Sequence, residues 1–275
     1  MEVKNEKIHA SCSRFNPFIF RYNVSLGVDM MGLFDKFMGG NILFYPGCME
    51  KFVLKKHQEN YEKILRKIGI DFIKLKDLEQ CCGSPVLNAG YEVDFETIVK
   101  KNYKIFKKHG IKKIITPCPA CFKTFKLEYP KFLDNFDIEV EHISQTIWNA
   151  IKNGKLKLKK ISKPVKVTYH DPCHLGRYCG VYEEPREILK ALGYELVEMK
   201  FNREMGWCCG GGGGLKSNYP ELAEEITNMR IKHAKDIKAD IIVTSCPMCF
   251  SCFEQVSKGK IKSVELSTLL VDNIL

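Results

Sequence analysis

The chain has 275 residues, 45 % apolar and 28 % charged, enough apolar side chain for a packed core, which excludes a disordered protein. No run approaches 18 uninterrupted apolar residues, and Met1 to Lys7 lacks the apolar centre of a signal peptide, so no membrane span and a cytoplasmic location are expected. The net charge of +10 rests on 36 lysines among 43 basic residues. With no nucleic-acid motif beside them they read as solvated surface, a share of it suited to steering anionic substrates or an acidic redox partner.

Residues 1–40 show no clear period and include Gly27, Gly32, Gly39 and Gly40, which predicts an irregular arm. Met30-Met31 stands just before the regular pattern and is a candidate start, and Cys12 in the arm is a bystander. Asn41 to Tyr45 is a short apolar run ended by Pro46-Gly47, a buried strand entering a turn, and Cys48 follows at once. Leu54, Tyr61, Leu65 and Ile68 mark one face of a helix stopped by Gly69. Ile70 to Leu75 predicts a second strand, with Cys81-Cys82-Gly83 just beyond it. A helix from about Phe95 to Lys108 stops at Gly110, and Ile111 to Thr116 is a third strand leading into Pro117-Cys118-Pro119-Ala120-Cys121. The next helix takes Pro119 early, where its missing N–H costs little. Ile138 to His142 and Ile143 to Ile151 close the unit as strand and helix.

The order then repeats. Val165 to Tyr169 is a strand entering Asp171-Pro172-Cys173, and a helix around Pro185 to Leu192 stops at Gly193. Glu195 to Met199 is a strand ahead of Cys208-Cys209-Gly210, and Glu221 to Asp236 is a helix. Ile241 to Val243 leads to Cys246-Pro247-Met248-Cys249, and Ser263 to Glu265 with Leu266 to Ile274 closes the second unit. Thr116 to Phe122 matches Thr244 to Phe250 nearly residue for residue, which marks an internal duplication. The expected organisation is an arm at 1–40, a first unit at 41–155 and a second at 156–275, joined through the lysine-rich segment near 153–163. Strands alternating with helices predict an α/β fold of two duplicated βα units with parallel sheets. Sites in such sheets form at the carboxyl ends of strands, where every cysteine group falls.

Thirteen cysteines is a high and odd count, which in a reducing compartment points to metal or catalysis rather than disulfides. Neighbouring cysteines rarely pair with each other. They can converge on one metal centre if glycine lets the chain turn, and successive glycine N–H groups make an anion-binding nest. Each half supplies five: Cys48, Cys81, Cys82, Cys118 and Cys121, then Cys173, Cys208, Cys209, Cys246 and Cys249. Structural zinc takes four ligands, so a set of five suits a multi-iron cluster better. A thioredoxin-like dithiol would leave the remote cysteines unexplained.

These motifs carry a resemblance. Tyr45-Pro46-Gly47-Cys48, both Cys-Cys-Gly units and Asp171-Pro172-Cys173-His174 make the chain similar to the CCG-domain (cysteine-rich domain) family over roughly residues 41–275. That family includes the catalytic iron–sulfur subunit of heterodisulfide reductase in methane-forming archaea. It also includes iron–sulfur subunits of glycolate, lactate and glycerol-3-phosphate oxidising systems. The resemblance implies two non-cubane [4Fe–4S] clusters on the ten cysteines named above, and allows zinc in one motif. It implies an oxidoreductase subunit that reduces a disulfide of the coenzyme M–coenzyme B type within a complex. The alternatives are an electron-transfer subunit of a flavin-dependent 2-hydroxy acid oxidase and a zinc-stabilised interaction module. The chain carries no ferredoxin-like run of four close cysteines, so the expected partners are a ferredoxin-like iron–sulfur subunit and a flavin-containing subunit.

Outside the motif, Cys179 and Cys252 read as small buried hydrophobes. His170 and His174 flank Cys173, suited either to moving protons to a leaving thiol or to hydrogen-bonding backbone or cluster sulfur. Arg177 is suited to an anionic substrate end, or to pairing with Glu183 or Glu184. His174 and Arg177 are the candidate catalytic residues.

Overall fold

The computed structural model describes residues 41–75, 81–257 and 259–275, so the arm and its candidate start lie outside the described residues. Sheet one consists of β1 (Ile42–Phe44), β2 (Lys113–Thr116) and β3 (Glu139–His142), in the order β1-β2-β3. Sheet two consists of β4 (Lys166–Tyr169), β5 (Glu195–Leu196), β6 (Ile241–Thr244) and β7 (Lys262–Glu265), in the order β5-β4-β6-β7. All pairings between these strands are parallel. The register aligns Phe44 with Ile115 and Thr116 with His142, and in the other sheet Tyr169 with Val243 and Thr244 with Glu265. The carboxyl ends of the inner strands therefore lie level, and the loop after each strand is delivered to one edge.

Two expected strands shrink. Ile70 to Leu75 contributes a single bridge, Ile73 to Leu43, and Glu195 to Met199 keeps two strand residues. Both lie at sheet edges, where one-sided pairing leaves little to hold a longer ladder. Counting the Ile73 bridge, the two sheets share one strand order, as duplication requires.

The helices are α1 (Gly47–Phe52), α2 (Lys55–Ile68), α3 (Ser84–Asn88), α4 (Glu92–Lys108), α5 (Pro119–Lys123) and α6 (Ile143–Lys152) in the first half. The second half has α7 (Glu183–Ala191), α8 (Leu215–Asn218), α9 (Pro220–Asp236), α10 (Pro247–Ser257) and α11 (Leu266–Val271). The α2 helix forms because His57, Asn60, Tyr61, Ile64 and Leu65 recur at helical spacing and are buried. It ends because Gly69 takes the left-handed conformation, its N–H turning back to the Leu65 and Arg66 carbonyls.

The largest apolar cluster belongs to both halves. Phe44, Tyr61, Ile64 and Ile147 pack in it with Tyr169, Leu189, Val243 and Leu270. The α2 helix packs on α11, and α6 packs on α7. In each case the helix that leads into a half's edge strand meets the last helix of the other half, a pseudo-twofold exchange of equivalent surfaces. Tyr61 donates to the Glu265 carboxylate across this junction, and the His57 and Phe250 rings meet edge to face at 4.8 Å. The segment between the halves is pinned as well, with the Lys159 N–H donating to the Asn273 carbonyl at 2.8 Å.

Candidate metal centres

Each cysteine set is assembled from three loops. In the first, Cys48 opens α1, the Cys81-Cys82 pair precedes α3, and Cys118 and Cys121 sit at the start of α5. Gly83 takes φ +88°, and its N–H approaches Cys81 Sγ at 3.4 Å. Cys121 and Cys81 both hydrogen-bond Cys82, and Cys118 hydrogen-bonds Cys121 in turn. Cys48 stands beside Cys118 and Cys82; burial first, then these two neighbours, push its thiol up to about 11. A Cβ on Gly47 would stand 3.2 Å from Cys121 Sγ, so glycine is what lets α1 close on the Cys118 loop.

The second set repeats this arrangement. Gly210, at φ +85°, directs its N–H to Cys208 Sγ at 3.3 Å. Hydrogen bonds from Cys173 and then Cys209 draw the Cys208 thiol down to about 2. Cys209, Cys246 and His170 likewise hold Cys249 well below the usual thiol range, although burial opposes this. The donors are pushed up correspondingly, Cys173 first of all by its bond to Cys208. Thiols this close can ionise together only around a cation, which is what the metal of an iron–sulfur group supplies. Cys48, Cys81 and Cys208 are exposed, so both sets open to solvent.

The two sets are neighbours. Cys118 of the first contributes to the upward push on Cys246 of the second. His174 is within electrostatic reach of both: burial, then Lys123, lowers its pKa, while Cys249, Cys208 and Cys82 act the other way. Its ring stacks on Tyr178 with centroids 5.4 Å apart. His142, at the end of β3, accepts the Ser144 N–H, which leaves Nε2–H to donate to the Pro117 carbonyl at 3.1 Å. Burial lowers its pKa to about 4, so it is a neutral brace behind Cys118.

Arg177 donates through Nε to the Glu204 carbonyl at 3.3 Å and through Nη2 to the Gly206 carbonyl at 2.6 Å, holding the turn that leads into Cys208. Glu183 pairs instead with Arg203 at 2.7 Å, and Glu184 accepts from Gln145 at 3.4 Å. Cys179 is half-buried, whereas Cys252 is buried and hydrogen-bonded to Cys209. No disulfide forms among the described cysteines.

Of the residues behind the cysteines, sequence reasoning named His170 and missed Arg230, Asn102 and Tyr129. His170 is fully buried, its Nδ1 accepts Arg230 Nε–H at 3.1 Å, and its Nε2 has no hydrogen-bond partner. A ring nitrogen of His170 and the sulfurs of Cys209 and Cys249 lie within 4.8 Å of one another. Arg230 is also fully buried, donates through Nη1 to the Phe201 carbonyl at 2.7 Å, and leaves Nη2 unpartnered. In the first half Asn102 donates to the Cys81 carbonyl at 3.0 Å and Tyr129 to the Cys82 carbonyl at 3.2 Å. The available signal was a polar residue on an apolar helix face: Arg230 among Ala223, Thr227, Ile231 and Ala234, and Asn102 among Phe95, Val99 and Phe106.

The cysteine-rich domain model named CCG matches residues 42–126 and again residues 167–254. The chain belongs to the CCG cysteine-rich domain family. One subunit of the dihydromethanophenazine:CoB–CoM heterodisulfide reductase of Methanosarcina acetivorans is 37 % identical over 215 residues, 76 % of this chain and 52 % of that subunit. The EtfAB:quinone oxidoreductase of Syntrophomonas wolfei is 37 % identical over 243 residues, 84 % of this chain and 33 % of that protein. One subunit of the fumarate reductase (CoM/CoB) of Methanothermobacter marburgensis is 33 % identical over 237 residues, 84 % of this chain and 46 % of that subunit. The chain thus aligns with about half or less of the length of these oxidoreductases. Among the described residues no helix is long and apolar enough to cross a membrane.

Proposed function

We propose that this CCG-family chain is the iron–sulfur subunit of a cytoplasmic oxidoreductase complex and reduces a disulfide between two anionic thiols. The ten cysteines, Cys48, Cys81, Cys82, Cys118 and Cys121 with Cys173, Cys208, Cys209, Cys246 and Cys249, would hold two [4Fe–4S] groups of the non-cubane kind. What supports this reading is the adjacency of two thiol sets with exposed edges, near enough for Cys118 to act on Cys246 and for His174 to feel sulfurs of both. Two of the relatives bear coenzyme M and coenzyme B in their names, which supports a disulfide of that type.

When bound, the clusters would pass single electrons and offer metal to sulfur. The reaction balances as one disulfide, two electrons and two protons giving two thiols. The electrons come from a ferredoxin-like or flavin-containing partner subunit. His174, next to Cys173, is the residue proposed to relay a proton to a departing thiolate; because burial lowers its pKa, it must take that proton up during the step rather than hold it beforehand. Arg177, which holds the turn before Cys208, is the cation for the substrate's anionic end.

Adding the coenzyme M–coenzyme B disulfide, or its thiols, to anaerobically loaded, oxidised protein tests this. The electron paramagnetic resonance signal should change saturably, and less so in His174→Ala and Arg177→Ala. A signal indifferent to thiols and disulfide refutes disulfide reduction. It would favour the second reading, electron transfer without a substrate, to which the quinone oxidoreductase relative points.

A further inference from the structure

The two halves repeat the same cysteine geometry but set different residues behind it. Three positions before Cys48 stands Tyr45, and three before Cys173 stands His170. Asn102 and Arg230 stand at the same place in two helices of 17 residues, ten positions after Glu92 and Pro220. The first centre therefore has a neutral amide and a phenol where the second has a guanidinium and an imidazole.

Arg230 is an anomaly unless the second centre is anionic. Its side chain is wholly buried, and a buried cation is ordinarily matched by a carboxylate. Its hydrogen bonds go to a histidine nitrogen and a backbone carbonyl, and among the described residues it makes no ion pair with a carboxylate. The nearby Asp171 and Glu198 are both taken up by Arg186, which grips the Asp171 oxygens at 2.6 and 2.9 Å and the Glu198 oxygens at 2.7 and 3.1 Å. The negative charge left to balance Arg230 is that of the Cys209 and Cys249 sulfurs, reached through His170. Because Nδ1 of His170 accepts from Arg230, its proton sits on Nε2, the nitrogen without a partner, which is the donor left for sulfur. Glu50, buried beside the first centre, adds no positive charge there in either protonation state.

A positive charge and an N–H donor held against a cluster favour its reduced, more negative state, and burial weakens screening of that preference. We propose that Arg230, acting through His170, makes the second centre the easier of the two to reduce, so that an electron entering this chain settles there first. The proposal rests on the iron–sulfur reading given above and assigns the two centres an order. Arg230 and His170 are positioning residues. With Nδ1 of His170 taken by Arg230 and its proton on Nε2, neither residue has a lone pair left for metal.

Stepwise reduction of the anaerobically loaded chain with dithionite, through mediators and followed by electron paramagnetic resonance, tests it. Each step adds one electron to one centre and breaks no bond. Two steps are expected, with Cys209→Ser removing the one at higher potential and Cys82→Ser the one at lower potential. Arg230→Gln should move the higher step to lower potential and leave the other in place, and Arg230→Lys, which keeps the charge, should restore most of the shift. Loss of the lower step in Cys209→Ser overturns the proposal even if Arg230→Gln fails to fold. So does an Arg230→Gln protein that keeps its iron and both potentials. A chain that binds zinc without sulfide would instead refute the iron–sulfur reading itself, and the order with it.

Discussion

Gly210→Ala is expected to abolish the second centre while sparing the first. Gly210 sits at φ +85°, and a Cβ there would stand 2.5 Å from the Ala223 carbonyl oxygen, which is backbone of α9 and cannot swing away. The left-handed conformation and the overlap together cost roughly 3–5 kcal/mol, a large share of the 5–15 kcal/mol that holds a typical domain. Relief requires the loop to lift, and lifting it withdraws the N–H that meets Cys208 and the Cys209 carbonyl that accepts from Thr227 at 2.7 Å. The variant should lose about half of the bound iron and about 10 °C of Tm. Gly212→Ala is the control: a Cβ there meets nothing within 4 Å, and both measurements should stay at the parent values. Iron and Tm unchanged in Gly210→Ala would show that the doublet does not depend on this turn.

The second large effect concerns Arg186. It is fully buried, and beyond its bidentate hold on Asp171 it reaches Glu198 through Nε at 2.7 Å and the Tyr182 carbonyl through Nη1 at 2.7 Å. Its guanidinium also lies over the Tyr169 ring, 5.2 Å from the centroid. Asp171 in turn accepts the Arg203 N–H at 2.8 Å, so one carboxylate ties the Cys173 loop to the turn that leads to Cys208. Arg186→Met leaves Asp171 buried and unpaired, which costs about 3–5 kcal/mol. The urea midpoint should fall accordingly. Adding Asp171→Asn to Arg186→Met removes the stranded charge and should recover part of the loss, a coupling that a double-mutant cycle measures. Simple additivity of the two changes would mean that the pair does not act as a unit.

Much of the fold was legible in the chain itself. The inner strands are short apolar runs buried along their length, as in Ile241–Thr244, and such runs announce themselves. The cysteine sets were legible because duplication repeats their spacing. The length of the edge strands was not, since Ile73 and Glu195–Leu196 are held by a neighbour on one side and nothing local marks where the pairing stops. Nor was the exchange of α2 and α7 against α11 and α6, because helix exteriors carry no mark of which helix they will meet. The pairing of His170 with Arg230 spans 60 residues, and a histidine beside a cysteine reads equally well as a proton carrier. The one local clue was an arginine at a core position of α9.

Whether both cysteine sets hold iron–sulfur groups is decided by iron, acid-labile sulfide and zinc determined on one sample of the chain purified without oxygen. About eight iron and about eight sulfide per chain are expected, with each falling by about half in Cys82→Ser and in Cys209→Ser. Stoichiometric zinc with no sulfide would contradict the iron–sulfur assignment and leave a thiolate-bound interaction module in its place.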